Sequence, residues 1–555
     1  MSGREQRVSA IAQRRVDSIH LAAGAVLARR PALWLALLAF VLYLPPAVSV
    51  VQLNADAVEH VDIARRLLAG EGYALGVKGY FLGDSGVLHD GLDERPPLYP
   101  LLLAGLLRAG LGLPAAQVVN ALLAAACAAL VYAIGSALFG RRTAILAGLL
   151  AALSPPVLAW MVPPMTEALA IFLALLATWL LVRELDAPRV GSFATAGTVL
   201  GLGYLARPTM AVSAAALLLG VVLASRERHR LLRPLLALAL GVAIFAAPMT
   251  LYSFATRGSP SYSGQSYLYS VFDDDEVGQP PFGRSLPPPG QFIIANREFV
   301  VAAMARNIRA YAGEIFLDPR WLLLLLPAWP AALLALVRGR YPPAARPVLL
   351  LAGANFFLYA LTWANHQLRY QLLTLLLLLP FAVDGLARLG LPRLRLGSRP
   401  SLTALHLAVA AVGLFWLQSF FDEYRGQYRY FNEPVEPRLD YGLRWTGPSG
   451  WVKLRDLPQT MDWITAHTEP GDVLAHHAPW LSTFFTERPS TRMPSRPDPD
   501  TLRRFLVDYR VAYVLLSTDD YRRRYQESLQ ALQSAGVRPL TVAGYPAFDT
   551  RALWQ

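Results

Sequence analysis

The chain has 555 residues, 54% of them hydrophobic and only 16% charged, and its mean hydropathy is +0.36. That balance excludes an ordinary soluble protein of this size. The net charge of +12 does not point to nucleic acid, because the arginines fill short gaps between alternate apolar runs rather than forming one basic face.

Residues 1–30 form a basic tail carrying Arg4, Arg7, Arg14, Arg15, Arg29 and Arg30. The tail is long for the n-region of a cleavable signal, so the first apolar run reads as a signal anchor. About eleven apolar runs long enough to cross a bilayer then follow. They fall near 33–52, 116–138, 144–162, 166–182, 193–206, 208–224, 234–252, 321–337, 347–363, 370–387 and 402–420. Arginines occupy alternate gaps: Arg141 and Arg142, Arg183 and Arg189, Arg226 to Arg233, Arg338 to Arg346, and Arg388 to Arg399. Positive charge gathers on the cytoplasmic side, which puts the N-terminus and these gaps in the cytoplasm.

Pro97–Leu113 resembles another span, yet letting it cross would move every later arginine gap outside. It is therefore expected to lie as a juxtamembrane helix in the outer interface. With that choice the polar segment 53–114, the loop 253–320 and everything after about 420 are extracytoplasmic. The single cysteine, Cys127, sits inside an apolar run and reads as a packing residue. Lys78 and Lys453 are the only lysines, a bias that fits a GC-rich bacterial genome, so a multi-pass protein of a bacterial cytoplasmic membrane is expected.

From 421 to 555 the apolar runs shorten and charges return. The spacing predicts helices over Leu457–Ala466, Thr501–Asp508 and Tyr521–Ala535, a strand after Glu469–Pro470, and a buried strand over Val511–Ser517, which together suit a small soluble α/β domain. Its length suffices for a core of its own. His476 and His477 are adjacent and would point to opposite faces of a strand, a poor arrangement for a metal. The expected fold is thus an α-helical polytopic membrane protein with outer juxtamembrane helices, followed by a small extracytoplasmic α/β domain.

The segment behind the first span gathers Asp56, Glu59, Asp62, Asp84, His89, Asp90, Asp93, Glu94 and Arg95. Carboxylates at a membrane face can serve as a general base, bind a metal, or solvate a loop. Asn54 and Asp56 also stand where a helix would be capped. The residues alone leave these readings open. The loop 253–320, rich in Tyr, Gly and Pro and including Asp273, Asp274, Asp275 and Glu276, reads as a solvated acidic turn or as a lid over a site.

Motifs along the chain narrow the choice. Asp56-Ala57, followed by His60, Ile63-Ala64-Arg65, Leu67-Leu68, Gly70 and Gly72-Tyr73, opens the outer loop, and Arg95–Leu107 (RPPLYPLLLAGLL) closes it. Pro163–Glu167 (PPMTE), Gly201–Pro208 (GLGYLARP) and His366–Tyr370 (HQLRY) follow. In this order and placement the chain resembles the C-type (GT-C) integral membrane glycosyltransferases. It is most similar there to protein O-mannosyltransferase-like bacterial enzymes and the lipid A aminoarabinose transferase. It departs from their pattern at Ala57, where many have a second acid, and at His60, where a tyrosine is usual.

The resemblance implies a polyprenyl-phosphate-linked sugar donor, membrane lipid surroundings, and an acceptor hydroxyl on a lipid, glycan or protein. It places Asp56 at the position of the base. Arg95, Arg369 and Arg207 become candidates for the donor phosphate, although arginines at span ends also snorkel. Glu167, Glu94, His60, His366 and Tyr370 are candidates for positioning the acceptor or other substrate groups. No cofactor is required by this reading; Glu94 and His366 are weak candidates for a divalent metal, since two distant ligands make a poor signal. The rival class is a transporter or flippase of an envelope precursor, but no repeated half is visible.

Overall fold

The structure is a computed structural model. It describes residues 30–79, 86–258, 289–317, 328–362, 367–389, 393–394, 402–403, 410–419, 421–422, 442–445, 457–476, 478–494, 498–516, 527–542 and 545–554. Asp84, the tail 1–29, the acidic turn 273–276, His366 and His477 lie outside them.

Most of the described chain is helical, as the apolar runs require, since a backbone in lipid must satisfy its hydrogen bonds internally. Among the described residues five helices are long and apolar enough to cross a membrane: Pro31–Ser49, Leu113–Phe139, Leu232–Arg257, Ala345–Thr362 and Leu368–Arg388. Glu167–Val182, Val190–Ala206, Met210–Ala224 and Ala410–Ser419 are shorter apolar helices within the remaining expected runs. The run 144–162 is not one rod. It is a pair, Arg141–Ala152 and Pro155–Met161, bent by 52°. Pro155 and Pro156 explain the break, because proline has no amide hydrogen to continue a ladder. Leu98–Arg108 is a separate short helix, divided from Leu113–Phe139 by a turn with Gly110 at φ +74°. That is the element expected over Pro97–Leu113.

Small residues let neighbouring helices touch. Between Val190–Ala206 and Leu232–Arg257, a Cβ at Gly197 would come within 2.2 Å of the Leu238 carbonyl oxygen. Such close backbone approach is how apolar helices gain packing energy without a hydrophobic driving force. Tyr43, fully buried in the first helix, donates to the Ala152 carbonyl at 2.8 Å and so ties that helix to the bent pair.

The segment behind the first long helix begins with a strand, Val50–Leu53, and the helix Ala55–Ala69. Gly70 stops that helix at φ +81°, and Glu71 N returns to Arg66 O at 2.9 Å. A left-handed glycine with this return bond is an ordinary helix stop.

The C-terminal part does not close on itself. A six-stranded sheet runs in the order Arg538–Val542, Tyr545–Asp549, Val511–Leu515, Val473–His476, Ser490–Thr491 and Val77–Lys78. Its last strand comes from the segment behind the first long helix, pairing Val77 with Ser490 and Lys78 with Thr491 in parallel. A second parallel pair joins Val50–Leu53 to Gly442–Trp445. One apolar core holds Ala57, Val61, Leu75 and Val77 together with Ile464, Leu474, Trp480 and Leu481. The core thus lies between the segment that follows Val50 and the C-terminal part, directly beside the helix that carries Asp56.

Candidate active site

Asp56 stands in the first turn of helix Ala55–Ala69 but does not cap it. Asn54 does, its Oδ1 accepting from Ala57 N at 2.8 Å. The Asp56 carboxylate instead has an arginine on each oxygen. Arg95 Nη2 donates to Oδ1 at 2.5 Å, and Arg369 Nη1 donates to Oδ2. Burial alone would raise this carboxyl, yet Arg369 and then Arg95 outweigh it and hold Asp56 below the usual carboxylate range.

Glu59 follows Asp56 on the same helix face. Its Oε2 accepts from Arg95 Nε at 2.5 Å, and its Oε1 accepts from the Trp480 indole at 2.7 Å. Burial raises its carboxyl first, with repulsion from Asp56 adding and Arg95 opposing. Glu94, beside Arg95, is pushed up to about 8 by burial and then by Glu59. A carboxyl in that position is mostly protonated at neutral pH.

The other half of the cluster comes from span ends. Glu167, the first residue of its helix and 1% exposed, accepts from Arg207 Nη2 at 2.9 Å and from Arg369 Nη1 at 3.5 Å. Arg369 also donates through Nη2 to the Tyr370 hydroxyl at 2.9 Å and through Nε to Gln367 Oε1 at 2.7 Å. The Tyr370 ring stacks on Tyr359 at 4.8 Å. Arg369 lies 4.8 Å and Arg207 5.7 Å from the Tyr370 ring centroid, and Trp160 lies 5.7 Å from Arg369. Aromatic faces attract guanidinium and hold it in place with little hydration to lose.

Three guanidiniums, Arg95, Arg207 and Arg369, are thus interleaved with three carboxylates, Asp56, Glu59 and Glu167. Arg369 is the hinge of the set, touching Asp56 and Glu167 together. Planar guanidiniums suit phosphate, and each is already oriented by an anion that a phosphate can replace. His60 sits behind this layer, its ring edge-on to Tyr99 at 5.2 Å. Its Nδ1 is buried with no hydrogen-bond partner among the described residues. Burial, then the Arg95 charge, keeps the ring neutral by pushing its pKa well down.

The structure therefore brings together Asp56, Arg95, Arg207, Glu167, Arg369 and Tyr370, which the sequence singled out, with His60 and Glu94 at their edge. His366 lies outside the described residues, so its pairing with Glu94 has no geometry here. Among the described residues no group of three metal-ligating side chains forms. His476 is buried, its Nδ1 2.7 Å from Ser482 Oγ, and belongs to the C-terminal core. Trp480, Trp160 and Tyr359 were not legible as site residues, since nothing in their local sequence separates them from packing aromatics. A cavity of about 570 Å³ lies to one side, lined by Glu71, Tyr73, His89, Asp90 and Tyr252 among others; none of the three arginines lines it.

Comparison with known proteins follows the same lines. Residues 94–252 match the family described as dolichyl-phosphate-mannose-protein mannosyltransferase, a segment that includes Glu94, Arg95, Glu167 and Arg207. No curated protein matches the sequence. Among solved structures, ArnT from Cupriavidus metallidurans bound to undecaprenyl phosphate superposes with a TM-score of 0.57 at 12% identity, covering 94% of this chain and 98% of that one. The same protein in the apo state gives 0.56 at 12% identity, with 96% and 99% covered. The archaeal oligosaccharyltransferase AglB from Archaeoglobus fulgidus, in complex with an inhibitory peptide and a dolichol-phosphate, gives 0.53 at 11% identity, with 88% and 69% covered. At these identities the likeness carries the fold alone, and the family match is confined to residues 94–252. The chain thus carries, over residues 94–252, a segment similar to the dolichyl-phosphate-mannose-protein mannosyltransferases, and its fold is similar to that of ArnT and AglB.

Proposed function

We propose that the protein transfers a sugar from a polyprenyl-phosphate-linked donor to an acceptor hydroxyl at the outer face of a bacterial cytoplasmic membrane. The observation that carries this reading is the bridging of Asp56 by Arg95 and Arg369. A donor phosphate entering the cluster competes with Asp56 for these guanidiniums. Arg207, held by Glu167 against the Tyr370 ring, supplies a third positive charge. As the phosphate takes its place, the Asp56 carboxylate is released toward the acceptor, and its proton affinity rises as its cations leave.

The reaction then balances simply. The acceptor oxygen attacks the anomeric carbon, and the bond from that carbon to the phosphate oxygen breaks. The electron pair leaves on the polyprenyl phosphate, where the arginines meet the added negative charge. The hydroxyl proton passes to Asp56. Glu167, Glu94, His60 and Tyr370 surround these groups and orient them, and the neutral His60 and largely protonated Glu94 add no charge to the pocket. The binding of undecaprenyl phosphate by ArnT, and of dolichol-phosphate and an inhibitory peptide by AglB, supports a lipid phosphate donor side and a separate acceptor.

The expected topology belongs to this proposal: about eleven spans, the N-terminus in the cytoplasm, and the residues from about 421 outside. The test is transfer by the purified protein in nanodiscs from a panel of polyprenyl-phosphate-linked sugars. Comparative mass spectrometry of envelope glycans and glycoproteins from cells with and without the gene supplies candidate acceptors. If no polyprenyl-phosphate sugar is consumed with any envelope fraction as acceptor, the proposal fails.

A further inference from the structure

The acidic and basic side chains of the site do not rest only on the outer loop and the spans. Trp480 begins the second position of the short helix Pro479–Thr486 in the C-terminal part, and its indole N–H reaches Glu59 Oε1 at 2.7 Å across 421 residues of sequence. Glu59 and Trp480 are each only 5% exposed. The ring has a shaped seat: a Cβ at Gly79 would come within 2.5 Å of it, so the outer-loop backbone passes directly against the indole. Around it, the Arg65 guanidinium lies over Phe484 at 4.8 Å and donates to the Phe484 carbonyl at 2.7 Å. The helix carrying Trp480 and the helix carrying Asp56 are therefore clamped at more than one point.

Resting on the transferase reading above, we propose that Trp480 is a positioning residue: it fixes Glu59, Glu59 fixes Arg95, and Arg95 fixes Asp56. The physics is that of a buried carboxylate with two oxygens to satisfy. Arg95 satisfies Oε2, and Trp480 is the donor to Oε1. Removing the indole N–H leaves a buried anionic oxygen unpaired, which costs more than an exposed hydrogen bond would. Glu59 answers by taking a proton or turning away. Either response loosens its hold on Arg95 Nε, and Arg95 then no longer aims Nη2 at the position of Asp56 Oδ1. The C-terminal part thus does no chemistry itself but sets the register of the guanidinium that meets the donor phosphate.

Trp480→Phe keeps the ring in its seat and deletes only the donor. Donor kcat/KM is expected to fall roughly 10- to 100-fold, the range for a buried hydrogen bond to a charged group, with acceptor KM little changed and the melting midpoint in nanodiscs lowered. The decisive measurement is a double-mutant cycle with Glu59→Gln. If Trp480 acts through Glu59, the double variant is no slower than Glu59→Gln alone. Losses that multiply, or a Trp480→Phe protein as active as wild type, overturn the proposal. Gly79→Ala, which pushes on the indole without touching Glu59, should give the Trp480→Phe defect and add nothing to it. Should wild-type protein move no sugar from any polyprenyl phosphate, the transferase reading fails on its own account. The link is then read from the melting midpoints of the same four proteins, where coupling sustains it and additivity overturns it.

Discussion

Asp56 and Arg369 lie 313 residues apart in the chain and meet in a direct ion pair. On the proposed function, the arginine that would receive the phosphate is already neutralising the carboxylate that would receive the proton. Each group keeps the other in an unreactive but organised state. A ligand that brings its own negative charge to Arg369 changes the basicity of Asp56 at the same moment.

Asp56→Asn tests that exchange. The amide preserves shape but carries no charge and accepts no proton. Turnover should fall by about 10²–10⁴-fold, the usual worth of a general base. Affinity for polyprenyl phosphate should rise, because Arg95 and Arg369 lose their anionic competitor. Helix Ala55–Ala69 keeps its cap at Asn54, so abundance should hold. Wild-type turnover in this variant, measured with saturating donor, removes Asp56 as the base.

Arg369→Ala should do the opposite. Asp56 retains Arg95 and Glu167 retains Arg207, so neither carboxylate is left without a cation. Donor KM is expected to rise by roughly 10- to 100-fold, as for loss of charge-assisted hydrogen bonds. An unchanged donor KM would assign Arg369 to structure only.

Glu94 gives the protein a pH signature. Its carboxyl rises from an ordinary 4.5 to about 8 in the folded protein, through burial and the neighbouring Glu59. A raised carboxyl binds its proton more tightly folded than unfolded. Its contribution to stability is therefore whole below about 4.5 and is lost as pH rises through about 8. The melting midpoint should decline across that window, and Glu94→Gln should flatten the decline. Glu59 shifts in the same direction, so the slope should shrink rather than vanish. An identical slope in the variant assigns the effect elsewhere.

Topology can be checked at Arg108, which ends the helix Leu98–Arg108 and is exposed. A cysteine there, in a Cys127→Ser background, should react with an impermeant maleimide added to spheroplasts. Reaction only after the membrane is opened would put the outer segment, and Asp56 with it, on the cytoplasmic side.

The sequence was informative wherever chemistry repeats over a window. Apolar runs and alternating arginines marked most helices, but 144–162 was read as one run and the break at Pro155-Pro156 was missed. Asp56, Arg95, Glu167, Arg207 and Arg369 stood out because charged side chains at span ends are costly and so conspicuous. Their pairing was not legible, since no local pattern tells which arginine meets which acid across 313 residues. Asp56 looked equally like a cap until Asn54 was seen to hold that place. A boundary near 421 was read from composition, but composition could not show that Val77–Lys78 completes the sheet of the C-terminal part. A two-residue strand has no period to read. Trp480 was hidden for the same reason: an aromatic in a short apolar helix ordinarily signals packing.

The two parallel pairings that join Val50–Leu53 to Gly442–Trp445 and Val77–Lys78 to Ser490–Thr491 also set a schedule for biogenesis. Parallel strands so distant in sequence cannot meet until nearly the whole polypeptide has left the ribosome. At typical elongation rates the outer segment waits on the order of 20–80 s for its partners. During that interval Glu59 has no Trp480 and the sheet edge is open, so a nascent or truncated chain holds an incomplete set of site contacts. On the proposed function, full activity is thereby deferred until synthesis has passed Ser490–Thr491, and a chain that stops before that strand is left without a properly registered arginine.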